Sequence, residues 1–313
     1  MFSRSELDAA HAVIQRHLTP SAQIAWPLLS RRCGAEVVVK HENHLPTGAF
    51  KVRGGLVLAD ALPPATPGLI SATRGNHGQS LAFAGSRVGV PVTIVVPRGN
   101  SPEKNAAMMA HGATLIEHGA DFEEAREDAF RRAAQQALTF VPSFAPALVR
   151  GVATYALELF TAHPDLDTVY VPIGLGSGVC GTILVRDLLG LSTAVVGVQS
   201  AGADCYARSF AAGALVAGNK AETKADGIAV RQPDPEALRI ILRGAERIVT
   251  VPDEAIAAAI QAYWTDTHNL VEGAGAAPLA ALRQEADRMR GRKVGLIASG
   301  GNIDLALFRD WVG

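Results

Sequence analysis

The sequence predicts an α/β chain of two lobes, each built on a doubly wound, mostly parallel sheet. Three observations carry this. Short runs rich in β-branched residues alternate with longer amphipathic segments along all 313 residues. Hydrophobic residues make up 48% and charged residues only 19%, below the usual share of about 25%, which calls for a large buried core. Nine strand-like runs are many for a single sheet, so the chain is expected to divide. The expected division gives residues 1–66 and 146–313 to a large lobe and 67–145 to a small mobile one, with "PPATPG" (63–68) as the hinge.

The strand runs, in order, are "EVVVKHE" (36–42), "GLISAT" (68–73), "VTIVVP" (92–97), "ATLIEHG" (113–119), "LTFVPSF" (138–144), "TVYVPIG" (168–174), "AVVGVQS" (194–200), "RIVTVPD" (247–253) and "VGLIASG" (294–300). Helices are expected between them. "DFEEAREDAFRRAAQQ" (121–136) opens on acids and carries its bases later, which suits the helix dipole. "PDEAIAAAIQAYW" (252–264) opens on Pro, Asp and Glu. A net charge of -1 with dispersed basic residues gives no electrostatic footing for nucleic acid or an anionic membrane. Three cysteines, Cys33, Cys180 and Cys205, form no CxxC pair and speak against a disulfide scaffold or a zinc ribbon. The start shows no secretory pattern, and no apolar run nears the ~18 residues of a membrane span, so a cytoplasmic protein is expected.

In an open α/β sheet, ligands bind where strands end and helices begin. Four such places stand out. In "PTGAFKVRGG" (46–55), Lys51 sits among small and aromatic neighbours in a chain with six lysines against 23 arginines. Desolvation there lowers an amine's pKa and suits Schiff-base chemistry; a solvated lysine at a helix start fits the same letters. "VPIGLGSGVCG" (171–181) follows a strand and opens a helix, so its glycines can present N–H groups to an anion such as phosphate. It also matches GxGxxG, but a dinucleotide site requires an acid at the end of the next strand, where Gln199 and Ser200 stand. "IASGGN" (297–302) places Ser299 at the last strand's end, and "SATRGNHGQS" (71–80) places Asn76 and His77 at a helix start. A plain turn or an Asn N-cap explains these last two equally well.

Taken together these stretches, with "KHENHLPTGAFKVRG", "TKADGIAV" (223–230) and "VEGAGAAPLAAL" (271–282), resemble the fold-type II pyridoxal-phosphate enzymes. That fold is the one resembling tryptophan synthase β. The nearest likeness is to the serine/threonine dehydratase and serine racemase family, and the motifs run almost the whole chain in order. The resemblance implies a large cofactor-binding lobe and a small substrate lobe. It implies that Lys51 is the Schiff-base lysine and Phe50 packs beside the ring. Asn76 would bond the cofactor's 3'-oxygen, and Ser299 its pyridine nitrogen. Gly174, Leu175, Gly176, Ser177 and Gly178 would hold its phosphate, and the turn from Thr73 through Arg74 to His77 would receive the substrate carboxylate. The implied activity is β-elimination of a β-hydroxy amino acid to a 2-keto acid and ammonia, with Lys51 as general base, by a cytoplasmic homodimer.

The sequence departs from that family in places. Arg74 stands where its dehydratases usually carry Ala and its racemases Ser. A guanidinium cannot serve as the second base that racemisation needs, so little racemisation is expected. Arg74 can instead meet a charged or polar substrate group, protein acids or the cofactor phosphate. Gln199 and Cys205 replace acids of the family's cation site, though Asp204 adjoins, so no metal is expected. "TRGNHG" with "PIGLGSGVCG" resembles the branch of hydroxyectoine-utilisation and phenylserine-type dehydratases. Absence of a regulatory extension after residue 313 points to a catabolic form.

Overall fold

The structure, a computed structural model, describes residues 1–218 and 221–313. The chain packs into two compact units, residues 1–19 with 46–152, and residues 20–45 with 153–313. Its strands are β1 (Gln23–Ala25), β2 (Glu36–His41), β3 (Leu69–Ala72), β4 (Val92–Val96), β5 (Thr114–Glu117), β6 (Thr139–Phe140), β7 (Thr168–Pro172), β8 (Ala194–Ser200), β9 (Arg247–Val251) and β10 (Lys293–Ala298). All nine expected strands are present. The β6 run shrinks to two residues because Pro142 has no N–H to give to a ladder. Strand β1 was not foreseen; three residues antiparallel to β2 at a sheet edge are too few to show a period.

The first unit holds a four-stranded sheet in the order β5-β4-β3-β6, all parallel. The central strands β3 and β4 are covered on both faces and read as near-continuous buried runs, whereas Thr114 and Glu117 at the ends of β5 are exposed. Leu69 and Ile94 pack with Met108 on one side; Ile70, Ala72 and Val95 pack with Ala125, Ala129 and Ala133 on the other. This unit is wider than residues 67–145, because the helix Lys51–Asp60 packs on the helices Asn76–Val88 and Pro146–Val152. One close approach is at Gly55, where an added Cβ would lie 2.4 Å from Ser80 Oγ and 2.7 Å from the Ser80 carbonyl oxygen. "PPATPG" therefore lies inside this unit, and the chain passes between units at 19/20, 45/46 and 152/153.

The second unit holds a six-stranded sheet, β1-β2-β10-β7-β8-β9, parallel apart from β1. Leu296 on β10 pairs with Val39 on β2 and Tyr170 on β7, so the central strands run in step. Their carboxyl ends deliver Gly174 after β7 and Ser299 after β10 to the same end of the sheet. A core of Val37, Val39, Tyr170, Val196, Leu296 and their neighbours lies against the helix Gly273–Gln284. Lys40, fully buried on β2, donates to Glu158 at 2.5 Å and to the Ser21 carbonyl at 3.1 Å.

Candidate active site

In the first unit, β3 ends at Ala72 and the chain turns through Thr73, Arg74 and Gly75 into the helix Asn76–Val88. The Gly75 N–H donates to Thr73 Oγ1 at 3.2 Å, and Asn100 Nδ2 donates to the Arg74 carbonyl at 3.2 Å, which fixes the turn's backbone. The Arg74 side chain is exposed and makes no ion pair among the described residues. Asn76 is half-buried at the first helical position and His77 is buried.

Lys51 opens its own helix directly after Phe50, with Nζ 5.2 Å from the Phe50 ring centre. Its carbonyl accepts a 2.6 Å hydrogen bond from Ser80 Oγ, which ties the Lys51 helix to the Asn76 helix. Burial, and then the charge of Lys51, hold the His77 imidazole down at about 3, against the opposing effect of its hydrogen bond to the Val141 carbonyl. His77 is therefore neutral near physiological pH. Its Nε2 and the Gln79 amide nitrogen are buried with no hydrogen-bond partner among the described residues. The first unit thus brings Lys51, Phe50, Asn76 and His77 into one neighbourhood, with two orphaned polar atoms in it.

In the second unit, β7 leads through Gly174 and Leu175 to Gly176, which precedes the helix Ser177–Leu188. Gly176 has φ +101°, a region that side chains resist, and an added Cβ there would lie 2.8 Å from the Ala237 Cβ. The backbone N–H groups from Gly174 to Val179 find no acceptor among the described residues. With the helix's N-terminal partial positive charge, these amides can donate to an anion. Ser299 follows β10 directly, is 4% exposed, and its hydroxyl has no hydrogen-bond partner among the described residues.

The positions of the suspected cation site are engaged with protein groups. Gln199 Oε1 accepts from the Ala207 N–H at 2.9 Å, Cys205 Sγ donates to the Val230 carbonyl at 3.2 Å, and Asp204 pairs with Arg208 at 2.9 Å. No cluster of three His, Cys, Asp or Glu able to hold a metal occurs among the described residues. No helix among them is long and apolar enough to cross a membrane.

The family model for pyridoxal-phosphate dependent enzymes matches residues 14–300. The chain is 36% identical over 279 residues to an L-threonine ammonia-lyase of Geobacter sulfurreducens, covering 88% of this chain and 69% of the relative. It is 31% identical over 301 residues to a beta-hydroxyaspartate dehydratase of Paracoccus denitrificans, covering 95% of both. The processed form of threonine deaminase isoform 2 from Solanum lycopersicum superposes with a TM-score of 0.91 at 26% identity, over 99% of this chain and 93% of that one. The chain spans 59% of the biosynthetic L-threonine dehydratase of Escherichia coli.

Proposed function

The chain belongs to the pyridoxal-phosphate dependent enzyme family, and on that premise we propose that it is an ammonia-lyase. It removes the β-hydroxyl of a β-hydroxy amino acid such as threonine or serine and releases a 2-keto acid and ammonia. The observation that carries this is a helix-opening lysine beside a neutral, buried histidine in a chain that also carries a bare amide cradle. The donor set fits the cofactor. Gly174, Leu175, Gly176, Ser177 and Gly178 would hold the phosphate, Phe50 would pack on the ring, and Asn76 would bond the 3'-oxygen.

When bound, pyridoxal phosphate supplies a conjugated ring that accepts the negative charge developing at the substrate Cα. Lys51 would be the amine that holds the cofactor, and its free Nζ would take the proton from the substrate Cα. His77 stays uncharged, so no second cation opposes protonation of Lys51. Ser299 would meet the ring nitrogen with a hydroxyl rather than a carboxylate. Such a hydroxyl would offer the ring nitrogen no negative charge to hold a proton there. The Thr73–His77 turn presents helix N-terminal amides to the substrate carboxylate.

A second reading concerns the substrate. The exposed guanidinium of Arg74 lacks an ion pair among the described residues, and a dehydratase of β-hydroxyaspartate aligns along 95% of its length. Both favour a β-hydroxy acid with a second carboxylate. We take the protein to be a cytoplasmic homodimer; its three buried free thiols support a reducing compartment. The deciding experiment measures 2-keto acid release from threonine, serine and 3-hydroxyaspartate, by wild type and Lys51→Ala. Release by wild type alone supports the proposal. No release from any of the three by cofactor-loaded protein overturns it. An Arg74→Ala protein that loses 3-hydroxyaspartate but keeps threonine establishes the second reading.

A further inference from the structure

The phosphate cradle is held from behind by a side chain that no motif marks. Tyr206 lies in the first turn of the helix Cys205–Ala212 and is fully buried. Its hydroxyl donates to the Leu175 carbonyl at 2.9 Å and accepts from the Asp234 N–H at 2.9 Å. Asp234 in turn caps the helix Pro235–Gly244, its Oδ1 accepting from Glu236 N–H at 2.9 Å and Ala237 N–H at 3.0 Å. That helix closes the circuit on the cradle. The Ala237 carbonyl accepts from Cys180 Sγ at 3.6 Å, and the Ala237 methyl lies where a Gly176 side chain would have to go.

The consequence follows from peptide geometry. In a trans peptide the C=O of one residue and the N–H of the next point in opposite directions within one plane. Pinning the Leu175 carbonyl toward Tyr206 therefore turns the Gly176 N–H away from Tyr206. Gly176 can follow because its φ of +101° costs a glycine little. Without the hydroxyl, the Leu175–Gly176 peptide is free to rotate. One cradle amide then loses its fixed direction, and the Leu175 carbonyl is left free to face an anion it repels.

We infer that Tyr206 is a positioning residue for the anion cradle, setting the direction of the Gly176 N–H without touching the ligand. This rests on the phosphate role proposed for Gly174–Gly178. It predicts a defect confined to the phosphate group, which a general loss of stability would not produce. The test titrates cofactor-stripped full-length protein with pyridoxal phosphate and with pyridoxal, following absorbance, and takes the ratio of the two Kd values. In wild type the phosphorylated form binds more tightly. In Tyr206→Phe that preference should shrink about ten-fold while the Kd for pyridoxal stays within about two-fold.

Tyr170→Phe is the control, because Tyr170 is also fully buried in the same unit and its hydroxyl donates to Glu285 at 2.6 Å. It should lower thermal stability and leave the preference intact. A preference unchanged in Tyr206→Phe, or equally reduced in Tyr170→Phe, overturns the inference. No preference in wild type overturns the phosphate role itself, and the inference with it. Should Tyr206→Phe fail to fold, Asp234→Ala loosens the turn that carries the Asp234 N–H and must narrow the preference in the same direction; an unchanged ratio there counts against the inference.

Discussion

Gly55→Ala tests whether the contact between the Lys51 and Asn76 helices sets the catalytic geometry. The new methyl would lie 2.7 Å from the Ser80 carbonyl oxygen and 2.4 Å from Ser80 Oγ. The hydroxyl can rotate away, at the loss of its 2.6 Å hydrogen bond to the Lys51 carbonyl. The carbonyl belongs to the helix backbone and can only retreat with it. Relief to an ordinary contact of about 3.4 Å requires a shift of about 0.7 Å. Overpacking of this kind costs about 1–3 kcal/mol, and the lost hydrogen bond adds about 1 kcal/mol. At roughly 2–4 °C per kcal/mol, the apparent Tm falls by several degrees. The same shift carries Asn76 and His77 away from Lys51, and misplacement near 1 Å costs on the order of 100-fold in rate. A fall of at least about ten-fold in kcat/KM is therefore expected. Differential scanning fluorimetry and a keto-acid assay read the two effects. Gly89→Ala, at the far end of the Asn76 helix, is the control: φ is +70° but the space is open, so about 1 kcal/mol is lost without change in turnover. Wild-type Tm and kcat/KM in Gly55→Ala, or an equal rate loss in Gly89→Ala, would falsify the reasoning.

Acid should weaken the fold before its carboxylates titrate. Trp26 Nε1 donates to His41 Nε2 at 2.9 Å, and burial, then His44, push that imidazole down to about 4. Between pH ~6.5 and ~4 the unfolded chain binds a proton that the folded one refuses, so stability is full above that window and falls as pH drops through it. His41 alone accounts for about 3 kcal/mol, to be read from urea midpoints; a flat profile from pH 7 to 5 rules this out. Glu158→Gln removes the carboxylate that pairs with the fully buried Lys40 ammonium and should cost roughly 3–5 kcal/mol, whereas Lys40→Met with Glu158→Leu should recover most of it. Equal destabilisation by the single and double changes would show that packing, not charge, is at stake. Gly176→Ala combines a strained φ with a 2.8 Å approach to Ala237 and should weaken pyridoxal phosphate binding by at least about ten-fold in an absorbance titration. Wild-type affinity in that protein contradicts the cradle.

Residues whose role is written in local sequence were legible; those whose role arises across the fold were not. Lys51 and the Gly174–Gly178 loop show themselves through neighbours in the chain, because a strand-to-helix turn is a local event. Parallel strands behave likewise: the central ones are buried over most of their length, so short β-branched runs stand out against the helices. Division into units was harder to see, since β2 lies early in the chain yet pairs with β10, and no composition shift marks the passage at 45/46. Ser80, Tyr206 and Asp234 carried no signal. Each acts through hydrogen bonding to a residue at least 28 positions away, and only the folded register brings the partners together.

That distinction bears on how substrate choice and cofactor hold are divided. The groups proposed to grip the phosphate are backbone amides, so their sequence record is glycine and their precision is delegated to the Tyr206 and Asp234 circuit behind them. The groups proposed to meet the substrate lie in a turn whose backbone is pinned by Thr73 and Asn100, leaving the Arg74 side chain unconstrained among the described residues. Substitution at 74 can therefore change what the turn accepts without disturbing how the turn is built. Substitution at 206 cannot change the ligand's chemistry, only how firmly its phosphate is held. The two residues should fail independently. In the double variant Arg74→Ala with Tyr206→Phe, the changes in substrate preference and in phosphate preference should each equal those of the single variants, as expected for sites that share no partner. A substrate profile that shifts with Tyr206→Phe alone would mean that cradle and turn are one coupled device.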